Sequence, residues 1–281
     1  MKKTITLFFL ALAVSSYAQP KLITQAIITT KTTIVAPEED ENAPPPPGGP
    51  GGENMRIMNF FGDGETKSTT WLKNDIFKTF SETETGRTTI IRDNSKKMTT
   101  TIIEMMGKKT GIYATDEDQA IMRKRMDSMM QSRSQGSSDA MRAAPKTNIF
   151  YFEETKKIAG YNCNKAVIVT TRPNGRSDSS VVWFTPDIKL QGISSTGGSL
   201  GGLGNFMQSP ATNAMEQLKG FPMQYERNMG RGRKMTVLVS RIVTDKEIDD
   251  KEFEIPKDIV LKSVKDMQNG NGQGFFQMRR D

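Results

Sequence analysis

"TKSTTWLKNDIFKTFSETETGRTTIIRDNSKKMTTTIIEMMGKKTGIYAT", residues 66–115, is a succession of short runs rich in Thr, Ile and Phe, each closed by turn residues. Asn74-Asp75 ends the first run, Gly86 breaks the second, Asn94-Ser95 the third and Gly107 the fourth. β-Branched and aromatic residues suit a pleated, half-buried surface, and close turns between short runs are the mark of an antiparallel meander. Several runs place Thr on one side and Ile or Met on the other, the alternation of a sheet that is wet on one face. This stretch predicts a mainly β (α+β) protein built on an antiparallel sheet.

The period changes at Thr115. "TDEDQAIMRKRMDSMMQSR" carries Thr115 at a plausible N-cap with Asp118 three residues on, a capping-box pattern. Met122, Met126, Met129 and Met130 then recur at i, i+4, i+7 and i+8, on one face of a helix. As ordinary core, this stripe would pack on the sheet. As a binding surface, its unbranched, polarizable thioethers would adapt to varied apolar ligands, a reading that the 18 methionines of the chain keep in view. A second helix is expected between Ser209 as cap, with Pro210 at its first position, and Gly220 as stop before Pro222. The two short helices are expected to cover the sheet.

Further strands flank these helices. "KLITQAIITTKTTIV" (21–35) reads as one strand ending before Pro37. Asn174-Gly175 is a strong two-residue hairpin signal joining "CNKAVIVTT" to "SSVVWFT", and Pro186 ends the second of these strands. "MTVLVSRIVTDKEI" is another strand, and "KEFEIPKDIVLKSV" contributes a short element around Pro256.

The N-terminus "MKKTITLFFLALAVSSYAQP" has a basic start, an apolar run and a small-x-small site at Ser16-Tyr17-Ala18. This predicts a secretory signal peptide over 1–18, and no cysteine follows to take a lipid. The expected domains are therefore the signal, one β-rich domain over 19–266 with a disordered Pro/Gly/acid insertion at 37–54, and a flexible tail over 267–281. The expected location is periplasmic or secreted.

Composition narrows the chemistry. There is no histidine and one cysteine, Cys163. Zinc, copper and non-haem iron sites draw on His or several Cys, so no metal or other cofactor is expected. A Ser-His-Asp triad cannot be assembled, and the "GGSLG" match at 197–201 lies in a Gly/Ser-rich stretch without the strand, helix and histidine of a nucleophile elbow. Cys163 lacks the usual activating base and reads as a small buried side chain. Acidic neighbours such as Asp116 and Asp118 suit the helix dipole better than acid–base work. No enzyme is expected. The net charge of +7 in an exported protein does not point to nucleic acid, while contact with an anionic membrane surface is compatible with it.

"KKIAGYNCNKAVIV", followed by "VVWFTPDI", "LKGFPMQYE" and "FEIPKDIVL", resembles an exported bacterial group, the domain of unknown function 4412 family. That group is similar in outline to the outer-membrane lipoprotein-carrier fold. The resemblance implies a curled antiparallel sheet or half-barrel whose concave side is covered by two short helices; it carries over no catalytic residues.

Two functions follow as expectations. In the first, an envelope protein holds a lipid, an acyl chain or an apolar segment on the concave side of its sheet, lined by Trp71, Phe77, Phe80, Trp183 and the Met122, Met126, Met129 and Met130 stripe. In the second, a structural or interaction protein of the envelope fills that space with its own side chains and meets other envelope proteins. Enclosed apolar volume separates the two.

Overall fold

The computed structural model describes residues 20–35, 64–133, 145–191, 214–215, 217–228 and 232–269. The expected signal peptide and the 37–54 insertion lie outside the described residues, as does half of the expected 209–220 helix; of its described part Ala214 and Met215 are helical, whereas 217–220 are turn and bend, so the helix does not run on to Gly220.

Fourteen strands are described. They are β1 (Lys21–Ile23), β2 (Gln25–Val35), β3 (Gly64–Lys73), β4 (Ile76–Thr83), β5 (Gly86–Asp93), β6 (Met98–Met105), β7 (Lys108–Thr115), β8 (Lys146–Ile158), β9 (Tyr161–Thr171), β10 (Ser177–Thr185), β11 (Ile188–Leu190), β12 (Phe221–Asn228), β13 (Lys234–Val243) and β14 (Leu261–Ser263). Twelve form one sheet in the order β14-β7-β6-β5-β4-β3-β2-β13-β12-β10-β9-β8. The remaining two, β1 and β11, pair in parallel. Two helices are described: α1 (Asp116–Arg133) and α2 (Val264–Asn269). The protein is thus mainly β with few helices, and its large sheet is open rather than closed into a barrel.

The meander of 66–115 is present as β3 to β7, each strand antiparallel to the last. One face of this half presents Ile28, Thr30 and Thr32 from β2, Ser68, Thr70 and Leu72 from β3, Phe77, Thr79 and Ser81 from β4, and Thr88 and Ile90 from β5, all buried. We call it the hydroxyl face. The register sets Thr30 opposite Ser68, Ser68 opposite Ser81 and Ser81 opposite Thr88. Burying aliphatic and aromatic side chains such as Ile28, Leu72 and Phe77 contributes about 1.5–3 kcal/mol each.

The opposite face of the same half is crossed by the chain between β13 and β14. Gln25 Nε2 donates to the Lys246 carbonyl at 2.9 Å. Lys73 Nζ donates to the Ile248 carbonyl at 2.9 Å and to Asp250 Oδ1 at 2.6 Å. A single 3-10 turn, Asp250–Phe253, packs on β4 with Phe253 buried, and Lys78 Nζ meets Glu252. Lys109 and Asp258 pair at 2.9 Å, after which β14 joins β7 in parallel. Ile91 and Ile102 are buried on the same side of the sheet as the strap. The short element expected near Pro256 is the last part of it.

Two local readings need correction, and one strand goes beyond them. The run 21–35 is not one strand: Thr24 breaks it, and β1 leaves the large sheet for β11. The chain after Gly220 is strand β12 although it holds Pro222. Pro222 is the second residue of the strand and lies beside the register shift between Trp183 and Phe184, the strand-start and bulge positions at which proline is tolerated. The tail expected from Met267 is helical as far as Asn269.

Candidate functional site

β9 and β10 form the expected hairpin, but through the longer loop 172–176 and not a two-residue turn: Gly175 has φ 78, Asn174 has no positive φ, the Gly175 amide donates to the Arg172 carbonyl at 2.9 Å, and Val167 stands directly opposite Val181. Trp183 stands opposite Lys165, on the same face as Val181. Lys156 Nζ lies 4.1 Å from the Trp183 ring centroid and donates to Gln224 Oε1 at 2.8 Å. Trp183 is therefore the floor of a cation–π contact, worth about 0.5–1 kcal/mol at an exposed site.

The other expected lining residues divide between the two faces. Phe77 belongs to the hydroxyl face, opposite Leu72 and in one cluster with Ile28, Ala26 and Val239. Trp71 and Phe80 point to the strap face, where Lys78 Nζ lies 5.1 Å from the Trp71 centroid. The expected set of aromatics is not brought together at one place. Alternation sends neighbours of odd spacing to opposite sides, and strands that are apolar on both faces hide that division from the sequence. Met122 is exposed on α1, while the side chains of Met126, Met129 and Met130 lie outside the described residues.

The hydroxyl face is the better candidate surface, although the chain itself already covers it: Ala26, Ile28, Leu72 and Phe77 share one cluster with Ile23 of β1 and with Ile188 and Leu190 of β11. Its polar atoms satisfy one another: Ser68 Oγ and Ser81 Oγ are 2.9 Å apart, and Thr70 Oγ1 and Thr79 Oγ1 are also 2.9 Å apart. A buried hydroxyl without a partner costs about 1–3 kcal/mol, so cross-strand pairing lets this face be covered by apolar atoms at little cost. The threonine methyls, with Ile28 and Ile90, then supply apolar contact. Thr32 is the exception: it is buried, and its Oγ1 has no hydrogen-bond partner. The sequence context does not single out Thr32, since "TTKTT" offers four threonines and only register separates them.

Helix α1 begins on this side of the sheet. Its first turn carries Asp116, which receives Arg92 Nη1 and Nη2 at 2.5 and 3.0 Å. Arg92 stands opposite Phe77 and so belongs to the hydroxyl face. One turn on, Gln119 Nε2 donates to Thr99 Oγ1 at 3.3 Å, and Thr99 is opposite Arg92. The expected capping box is present and reciprocal. The Asp118 amide donates to Thr115 Oγ1 at 3.2 Å, and Asp118 Oδ2 accepts the Thr115 amide at 2.9 Å. Lys265 of α2 meets the other carboxylate oxygen at 2.8 Å. That ammonium, with the Thr115 amide and hydroxyl, holds the Asp118 carboxyl down at about 2, and Arg92 holds Asp116 below the usual carboxylate range.

Cys163 is fully buried in the cluster of Ile158, Phe221 and Met223. Burial pushes its thiol up to about 11, which leaves it protonated at neutral pH and chemically quiet. Among the described residues no group of three or more His, Cys, Asp or Glu is placed to hold a metal ion. No helix among them is long and apolar enough to cross a membrane.

A family model described as a domain of unknown function (DUF4412) matches residues 54–259. Two solved structures of PNGF-II are similar in part. In the P21 crystal form the TM-score is 0.36 at 14% identity, with 87% of this chain and 33% of that chain covered. In the C2 form the TM-score is 0.38 at 14% identity, with 87% and 32% covered. This chain thus spans about a third of the length of PNGF-II. No curated protein matches.

Proposed function

We propose, for a chain that belongs to the DUF4412 family of unknown function, that it is an exported envelope protein that binds a hydrophobic ligand on the hydroxyl face of β2 to β6, with α1 as the cover. The ligand class is a lipid, an acyl chain or an apolar polypeptide segment. The observation that carries this reading is the pair of ties, Arg92 to Asp116 and Thr99 to Gln119, that fix the start of α1 on the side where that face lies. A lipoprotein-carrier-like role is the finer form of the same proposal.

The chemistry of the face supports it. Paired hydroxyls present few free polar atoms to an acyl chain, and each CH₂ buried is worth about 0.8 kcal/mol before entropic costs. Thr32 Oγ1 supplies one unpaired hydrogen-bonding group, which suits a ligand carrying a carbonyl or hydroxyl beside its apolar part. The function needs no titrating group, and the buried, protonated Cys163 takes no part in it.

Native mass spectrometry of the protein purified from cell envelopes tests the proposal. The expected result is a co-purifying lipid that leaves on denaturation, together with uptake of a fluorescent fatty acid by the stripped protein. Clean apoprotein that takes up no fatty acid would overturn it. That outcome would favour a second reading, an envelope interaction protein without a ligand, for which the long exposed strand β8 speaks.

A further inference from the structure

The two edges of the large sheet differ. One is β14, three residues long. The other is β8, thirteen residues long, which has no partner on its outer side among the described strands. A strand edge is a row of unpaired N–H and C=O groups, and proteins blunt such edges with short strands, charges or bulges. β8 is blunted only in its second half. There the pairing with β9 shifts between Phe152 and Thr155, so Glu153 and Glu154 bulge out, and Lys156 and Lys157 follow. The first half, "KTNIFYF", stays in register with β9 from Lys146 to Phe152. Phe150, Tyr151 and Phe152 are 51%, 40% and 45% exposed there, three consecutive aromatics on an open edge.

We propose that this edge, Lys146–Glu154, pairs antiparallel with the same edge of a second copy of the chain, about a two-fold axis at Phe150. The choice of occupant rests on self-complementarity. With Phe150 opposite its own copy, Ile149 faces Tyr151, Asn148 faces Phe152, and Lys146 reaches the acidic Glu153–Glu154 bulge at both ends. Aromatic and β-branched cross-strand pairs and opposite charges are the favourable combinations in an antiparallel ladder. Facing residues then lie on the same side of the joined sheet, as two-fold antiparallel pairing demands. Neighbouring registers are worse. A slip of two residues one way sets Lys146 against Lys156 and Ile149 against Glu153; a slip the other way sets Lys146 against Phe152 and loses both ion pairs. Glu154 already accepts Lys165 at 2.8 and 2.9 Å, so its carboxylate is held at the rim where the second Lys146 would arrive.

The test is sedimentation velocity of the full chain over a broad concentration range, with two variants. The expected result is a concentration-dependent dimer. Phe150→Lys combined with Phe152→Lys should raise its dissociation constant by about tenfold or more while circular dichroism stays native. Phe150→Cys places two thiols on the axis, within the ~4.5–5.5 Å Cα separation of facing residues, and should cross-link on mild oxidation. Lys146→Cys, which lies at the Glu153–Glu154 bulge and away from the axis, should not. A monomer at every concentration, a dimer indifferent to the two lysines, or equal cross-linking at 146 and 150 would each overturn the proposal. Because it concerns the β8 edge and not the hydroxyl face, fatty-acid uptake by the Phe150→Lys, Phe152→Lys variant reads the proposed function separately.

Discussion

Arg92 and Asp116 face each other as a fork on a carboxylate, with Nη1 and Nη2 at 2.5 and 3.0 Å from the two oxygens. Twenty-four residues apart in the chain, they tie the third strand of the meander to the first turn of α1. Paired geometry of this kind is the strong form of an ion pair, but the Asp116 side chain is 46% exposed, which keeps the net contribution to about 1 kcal/mol or less. Arg92→Gln is expected to leave the global melting temperature within a few degrees and to speed amide exchange in the first turns of α1 about fivefold. If the helix covers a ligand, fatty-acid affinity falls with it. Acid has the same effect. Asp116 is held below its unfolded pKa, so the tie is complete above about pH 4 and is lost as pH falls through the folded value. Exchange in α1 that is unchanged by Arg92→Gln would show that the helix is held by something else.

Much of this arrangement could be read from the chain, and the unreadable part has a physical cause. Strands β3 to β7 follow from alternating Thr and Ile with turn residues between them. The start of α1 follows from Thr115 and Asp118, which cap it reciprocally. Strand β12 could not be read because Gly220 and Pro222 are also the signs of a helix stop, and the register shift at Trp183/Phe184 beside the proline has no mark in the chain. The break at Thr24 is silent because Ile and Thr continue on both sides of it. The division of the aromatics between the two faces is silent for a related reason. Leu72 and Phe77 share a face, while Trp71 and Phe80 take the other, and nothing in composition distinguishes the sides until the strap and α1 choose them.

Cys163 should resist thiol reagents in the native protein. Burial raises its thiol to about 11, so almost no thiolate exists at neutral pH, and no surface path reaches a fully buried sulfur. Labelling at pH 8 is expected to proceed only at the rate of unfolding and to become rapid in denaturant. The same shift has a sign in stability. The unfolded thiol ionises near 8.5 and the folded one near 11, so the folded state holds an extra proton between them and stability falls as pH rises through that window. Cys163→Ala should flatten this part of the curve of urea midpoint against pH. A rapid native reaction, or a slope that survives the substitution, would contradict the assignment.

The turn joining β6 to β7 carries Met106 at φ 49 and Gly107 at φ 73, and Met106 is 81% exposed. Two successive positive φ values are the geometry of the tight hairpin turn that favours Asn-Gly. A methionine side chain gains nothing there by burial and tolerates the left-handed backbone poorly. Met106→Asn is therefore expected to stabilise the protein by about 0.5–1 kcal/mol, seen as a higher urea midpoint with an unchanged slope. Met106→Val, β-branched at the same φ, should shift the midpoint the other way. Equal midpoints for the two variants would mean that the turn relaxes at no cost.

Gly111 marks where the strap closes on the sheet. A Cβ at this position would stand 2.5 Å from Ile259 Cγ2 and 2.6 Å from Leu261 Cδ2, far inside van der Waals contact. Gly111 lies in β7 at ordinary strand dihedrals, so the demand for glycine comes from the neighbours and not from the backbone. Gly111→Ala must push the 259–261 segment away from β7, at an overpacking cost of about 1–3 kcal/mol. Ile259→Ala removes the nearer of the two obstacles and carries its own cost in lost burial. The double variant should then be more stable than the sum of the single effects predicts, by about 0.5–1.5 kcal/mol. Lys109, which ties the same stretch of strap through Asp258, provides the control: Lys109→Gln removes no atom near the Gly111 Cβ and should add to Gly111→Ala without coupling. Strict additivity in both cycles would show that the strap shifts freely and that the close approach at Gly111 does not hold it in place.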